Sequence, residues 1–447
     1  MSDFRNDPEV HFAPWEKIFG KVLTPFEDFI HKETSGSIIL IVCTGAALIL
    51  ANSPLPDDYQ ALLHTHIVFH IGDWELDYSL HHWINDGLMA LFFFVVGLEI
   101  KREVLTGDLS DPRAALLPIL AAIGGMVLPA IVYGLLNQGE PSADGWGIPM
   151  ATDIAFAVGI LALLGKRVPR SLFTFLIALA IVDDLGAVAV IALFYTEQVD
   201  LHALLIAGGF LTALIALNLF GIRSPVVHFF VALGLWLAML QSGIHATIAG
   251  ILAAWTVPNK PKLSTETFSR LSLGLMTRFR ATQDPQDRKA ILQALEDGIK
   301  QVESPLQRLE HNLHGTVAFI IIPLFALANA GIPIELGALK SAANEPVVLG
   351  ISAGLLGGKL LGIAGVCYIA HKLGLAPLPP GCRMPHIVGV SFLAAIGFTM
   401  SIFIAELAFR GNSYMLLDAK IGILAASAVA GIVGYIWLRA IGTKPGA

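Results

Sequence analysis

Residues 176–194 read LIALAIVDDLGAVAVIALF, a stretch in which only Asp183 and Asp184 are polar. An apolar run of this length spans the roughly 30 Å hydrocarbon core of a bilayer as a helix. A charge at the centre of such a helix costs about 2.5–3.5 kcal/mol on insertion scales, so two adjacent carboxylates need a reason to be there. The rest of the chain agrees with lipid as its main solvent. Its 447 residues are 55% hydrophobic and 14% charged, against about 25% charged in soluble domains. The fold class expected is therefore an all-α polytopic membrane protein.

Working outward, apolar runs predict about twelve transmembrane helices, at 36–53, 83–100, 113–135, 148–164, 171–194, 202–220, 225–239, 244–257, 315–332, 347–371, 386–408 and 416–440. Lys and Arg gather on cytoplasmic loops. Here they follow every second span: Lys101, Arg102 and Arg113, then Lys166, Arg167 and Arg170, then Arg223, the stretch after span 8, and Lys372 and Arg383. The intervening loops are nearly free of them; Lys340, Arg410 and Lys420 are the exceptions. This places both termini in the cytoplasm.

The chain then divides into a cytoplasmic segment 1–35, spans 1–8 over 36–257, a cytoplasmic loop 258–314, spans 9–12 over 315–440, and a tail 441–447. No basic start followed by an apolar run opens the chain, so no cleaved signal peptide is expected. Alternation over 66–78, around Gly72-Asp73, predicts a small outer β-hairpin. In the inner loop Leu295, Ile299, Val302, Leu306, Leu309 and Leu313 recur at three and four residues, predicting one amphipathic helix packed on the bundle. Cys43, Cys367 and Cys382 form neither a disulfide framework nor a zinc spacing. A net charge of −7 implies no nucleic-acid partner.

Further charges fall inside spans. Thr152-Asp153 lies in GIPMATDIAFAVG (147–159) and Lys359 in GLLGGKLLGIAG (354–365). At 1.5 Å per residue, Asp153, Asp183 and Lys359 each lie roughly 18 Å from a span end, near the bilayer middle. Structural accidents would not share one depth. Neighbours on a helix point about 100° apart, so Asp183 and Asp184 have different jobs. Buried carboxylates beside an ammonium exchange protons near neutral pH, and the same oxygens are hard ligands for a small cation. Competition of cation and protons for one site, open to one side at a time, suffices for coupled exchange. Gly147, Pro149 and Thr152 before Asp153, and Gly397 and Thr399 in AAIGFTMSIF (394–403), mark helix breaks whose backbone and dipoles can hold ions. Gly354, Gly358 and Gly362 read as close-packing contacts.

Other classes fit less well. An intramembrane aspartyl protease also needs two buried Asp, but on facing helices and usually in GxGD, which is absent. A passive channel is expected to show charge rings from several subunits. Neither GxxxxGK[ST] nor HExxH occurs, so no enzyme of those types and no resident cofactor is expected.

Taken together, ATDIAFAVGILALLGKRVP (151–169), IALAIVDDLGAVAVIALFYT (177–196), INDGLMALFFFVVGLEIKRE (84–103), QSGIHATIAGI (241–251), PLQRLEHNLH (305–314), PLFALANAGI (323–332) and IGFTMSIFIAELAF (396–409) resemble the NhaA family of bacterial sodium/proton antiporters, over nearly the whole chain. That family is an established example of an inverted-repeat transporter. The resemblance implies inverted repeats of spans 3–5 and 10–12, with spans 4 and 11 broken and crossing. It implies that Asp184 is the principal carboxylate for sodium and protons, with Asp183 its partner and Lys359 paired to Asp183. Thr152 and Asp153 would offset the dipoles of the broken helices. Transported Na+, Li+ and H+, net charge movement, a bacterial inner membrane and a homodimer joined through the hairpin are also implied. So is pH regulation at the cytoplasmic mouth by Glu99, Arg102, Glu103, Glu310, His311 and His314, two of them histidines that titrate in the relevant range. His245 is read as structural and Asp86 as minor. The chain departs from the family pattern at Leu360, where relatives carry Pro, and in a longer inner stretch over 259–307.

Overall fold

In the computed structural model, residues 34–71, 74–196, 199–222, 224–333 and 342–442 are described. The segment 1–33, Gly72, Asp73, Arg223, Lys340 and residues 443–447 lie outside them.

In lipid every backbone N–H and C=O must be satisfied within the chain, which favours helices. The elements in order are α1 (Thr34–Ala51), α2 (Pro56–Leu63), β1 (His66–Ile71), β2 (Trp74–Ser79), α3 (Leu80–Thr106) and α4 (Pro112–Leu136). A 3₁₀ segment (Pro141–Met150) leads through three extended residues into α5 (Ile154–Leu163). Next come α6 (Arg170–Phe194), α7 (Leu201–Leu219), α8 (Pro225–Gln241) and α9 (Thr247–Thr256). The stretch that follows holds α10 (Thr265–Ala281) and α11 (Pro285–Val302). The chain closes with α12 (Pro305–Asn329), α13 (Pro346–Lys372), α14 (Met384–Ala394), α15 (Phe398–Ala408) and α16 (Ser413–Ile441).

Seven of these helices are long and apolar enough to cross a membrane, and up to ten spans result if each bent pair counts as one. Twelve are not reached by length and composition, because α8 and α9 are shorter apolar helices. Large apolar side chains such as Leu193, Leu219 and Phe220 point outward, as a lipid-facing surface requires. β1 and β2 pair antiparallel from His66 with Ser79 to Ile71 with Trp74, as the alternation predicts.

Small residues bring the helices together. A Cβ on Gly358 would lie 2.7 Å from Pro129 Cα of α4, and one on Gly362 would lie 2.2 Å from the Gly124 carbonyl oxygen. The Gly354–Gly358–Gly362 row is therefore the packing face of α13 against α4 and the 3₁₀ segment. α3 and α9 cross as closely, with a Cβ on Gly250 falling 2.2 Å from the Ala90 carbonyl oxygen.

Two expectations are corrected. The apolar stripe over 295–313 is not one helix: α11 ends at Val302, and Ser304 caps α12 in a capping box with Pro305 at its first turn. That signature is legible in the sequence. The helix of span 9 also begins at Pro305 rather than near 315, with a π-turn at Val317–Ile321. Glu310, His311 and His314 thus ride on its first turns. At Leu360 the departure leaves α13 helical, with π-turns on either side at Ala353–Gly358 and Leu361–Gly365.

Candidate functional site

Two of the three bent helix pairs among the described residues meet at their breaks. The 3₁₀ segment and α5 bend by 42°, and α14 and α15 bend by 46°. Extended residues 151–153 leave their backbone groups free to pair across the gap. The Asp153 N–H donates to the Ile396 carbonyl at 2.7 Å, and the Thr152 hydroxyl donates to the Ala394 carbonyl at 2.8 Å. Ser401 on α15 returns a bond to the Ile148 carbonyl at 2.8 Å. Each chain segment thus supplies the partners that the other's interrupted ladder lacks.

Asp153 binds both half-helices at once. Its Oδ1 caps α5 by accepting from the Phe156 N–H at 2.9 Å. Its Oδ2 accepts from the Thr399 N–H at 3.1 Å and also from the Thr399 hydroxyl, at the start of α15. Helix N-termini carry partial positive charge and favour an anion. One buried carboxylate, 2% exposed, therefore compensates two dipole ends that point at each other.

α6 and α13 add the remaining charges. Lys359 Nζ donates to Asp183 Oδ2 at 2.7 Å and to Thr152 Oγ1 at 2.7 Å. Both side chains of the Lys359–Asp183 pair are fully buried. Thr152 bridges: it accepts from the ammonium and donates into the break of the other broken pair. Asp184 is the next residue on α6 and is buried, within electrostatic range of Asp183, Asp153 and Lys359. Among the described residues, Asp183 Oδ1 and Asp184 Oδ1 have no hydrogen-bond partner. A buried acceptor left in that condition costs about 1–3 kcal/mol. The oxygens are hard donors suited to a small cation, and a carboxylate in the same position can also take a proton. All five sequence-predicted residues, Thr152, Asp153, Asp183, Asp184 and Lys359, are brought together.

The profile of the family described as Na+/H+ antiporter 1 matches residues 27–438. The chain belongs to the Na+/H+ antiporter 1 family. A Na+/H+ antiporter NhaA 1 of Saccharophagus degradans is 53% identical over 436 residues, covering 96% of this chain and 94% of that protein. A Na+/H+ antiporter NhaA of Sulfurimonas denitrificans is 52% identical, covering 96% and 98%. One of Syntrophobacter fumaroxidans is 46% identical over 439 residues.

The second predicted set is partly assembled. Arg102 reaches Glu103 at 2.8 Å and Glu310 of α12 at 3.2 Å. Glu99 lies one turn before Glu103 on α3 and within electrostatic range of Arg102 and Glu310. His311 and His314 are exposed beside them. His245 bonds the Tyr195 carbonyl at 2.7 Å, a structural contact. Asp86 is buried and meets His82 at 3.2 Å.

Several participants escaped the sequence reading. Ser401 and Ser427, the latter accepting from the Phe398 N–H at 3.2 Å, hold the second break. Small hydroxyls inside apolar runs are the signal. Glu406, partly buried near the end of α15, is a further charge within an apolar segment.

Proposed function

We propose that the chain exchanges sodium, and lithium, for protons by competition for Asp184 and Asp183, with access alternating between the two membrane faces. Two enclosed carboxylate oxygens without partners among the described residues, beside a lysine already held by Asp183 and Thr152, are the observation that carries this reading. When sodium binds, its charge replaces that of the protons displaced from these oxygens. When it leaves, protons return. Lys359 holds Asp183 in place and serves as the second proton carrier, so more than one proton moves per sodium ion and the exchange carries net charge. The Arg102–Glu103–Glu310 network with Glu99, His311 and His314 adjusts activity to cytoplasmic pH.

The same reading includes twelve spans, with α8 and α9 as short ones, and an inverted repeat that pairs the broken segment ending in α5 with that of α14 and α15. The matching bends of 42° and 46° support it. The termini lie in the cytoplasm of a bacterial inner membrane, and the hairpin joins two copies outside. The test is sodium-driven proton movement in everted vesicles. The wild type should alkalinise the lumen on sodium addition, and Asp184→Asn should insert normally yet show no response. Retained exchange in that variant refutes the site.

A further inference from the structure

A second group of charges, partly buried, lies at the hairpin end of the bundle. Glu406 of α15 meets Lys420 Nζ of α16 at 2.7 Å, and His81 Nε2 of α3 stands 3.9 Å from the same carboxylate oxygen. Glu406, Lys420 and His81 are 15, 13 and 28% exposed. His81 Nε2 also lies 3.0 Å from Asn329 Oδ1 at the end of α12. Beside them His82 pairs with Asp86 and stacks on Tyr78 of the hairpin. His64, just after α2, and Arg410, just after α15, are the other titratable or charged groups that face this set.

His81, His82, Asp86, Glu406 and Arg410 line a cavity of about 160 Å³, with Lys420 behind Glu406. Phe403 forms part of its wall, packed against Phe93 and Phe325 at ring-centroid distances of 5.5 and 6.2 Å. Glu406 follows Thr399 by seven residues on α15, roughly 10 Å at 1.5 Å per residue. Thr399 is the residue bound to Asp153. The cavity therefore stands over the central site, one aromatic layer away. Taking charged groups largely out of water carries a desolvation penalty, and packing does not require them here. Lys420 and Arg410 are also two of the three exceptions to the loop charge pattern.

We propose that His81, Glu406 and Lys420 form a proton-loading station on the hairpin side, where a proton from bulk water first binds before passing Phe403 to the central carboxylates. This deepens the exchange reading and rests on it. The proton arrives from water and leaves to the Asp184 carboxylate, so the step needs no other reactant. The ammonium opposes proton uptake by its neighbours and the carboxylate favours it, so the balance of the two sets how readily the station loads.

The experiment uses right-side-out vesicles loaded with sodium, with pH varied only outside. Glu406→Gln leaves Lys420 uncompensated beside His81, and the half-maximal external pH falls by about one unit, the low end of the effect of a charge within 4–6 Å. Lys420→Met removes the ammonium and moves the midpoint the other way. In everted vesicles, where pH is varied on the opposite face, both midpoints stay at the wild-type value even where the rate falls. Opposed shifts confined to the hairpin face support the station. Shifts of the same sign, shifts equal on both faces, or no shift overturn it. If either charged variant fails to fold, His81→Asn decides: it should flatten the external profile between about pH 5 and 8, where imidazole titrates, and an unchanged profile rejects the proposal. A wild type without sodium–proton exchange refutes the function reading instead.

Discussion

Replacing Lys359 with Met removes one ammonium and little else. Both side chains are unbranched, and the lysine stem runs past Gly125, where an added Cβ would stand 3.8 Å from Lys359 Cδ. Asp183 Oδ2 then loses its 2.7 Å partner while its other oxygen already has none. Removing one member of a buried ion pair costs about 3–5 kcal/mol. Asp183 can take up a proton instead of remaining charged, so the loss is smaller in acid and grows as pH rises. Thr152 keeps its bond to Ala394 but loses the ammonium that donates to it. The assay pairs thermal unfolding of the purified protein in detergent with sodium-driven proton movement in vesicles, both across pH. Lys359→Met should unfold at lower temperature, increasingly so above neutral pH, and exchange poorly. The double variant Asp183→Leu with Lys359→Met should regain most of the stability, because replacing a whole buried pair by apolar groups is often neutral or stabilising by about 1–4 kcal/mol; it should not regain exchange. A single variant with wild-type melting and an unchanged pH profile, or a double variant no more stable than the single, refutes the pairing argument.

Other predictions follow from the same contacts. Gly358→Ala forces α13 away from Pro129 and should cost about 1–3 kcal/mol, whereas Gly357→Ala, which faces open space, should melt like wild type; equal melting of the two would contradict the packing face. Asp153→Asn weakens the compensation of two helix ends and should lower stability by about 0.5–2 kcal/mol, the range for a lost cap, with Thr399→Val showing part of the same loss by thermal unfolding. Arg102→Ala breaks contacts to Glu103 and Glu310 that are partly open to water, so stability should change by at most about 1 kcal/mol. The pH at which exchange switches on in everted vesicles should nevertheless move, and a fixed threshold would remove these residues from regulation.

Much of this molecule was legible because lipid makes charge expensive. Asp153, Asp183 and Lys359 stood out at a shared depth, and the structure joins them within hydrogen-bond distance or through Thr152. The hairpin strands were visible in two-residue alternation. What stayed hidden was relational. That Asp153 caps two helices, or that Thr152 bonds across to Ala394, depends on two segments more than two hundred residues apart meeting at their breaks, and no local pattern encodes that meeting. The misjudged helix over 295–313 has a different cause. Its apolar spacing continues smoothly through Ser304-Pro305, and periodicity outweighed the cap signal. The two short helices α8 and α9 show the limit of length as a criterion: apolar character is there, but not the residues to fill a span unaided.

The central claim is that sodium and protons compete for the same oxygens. Proton release from the purified protein on sodium addition, followed with a pH dye in weakly buffered detergent solution, addresses it most directly. Wild-type protein should release protons, most strongly at a pH where the site is still protonated, and Asp184→Asn should release none. Sodium binding, seen by calorimetry, without any proton release at any pH would contradict the account.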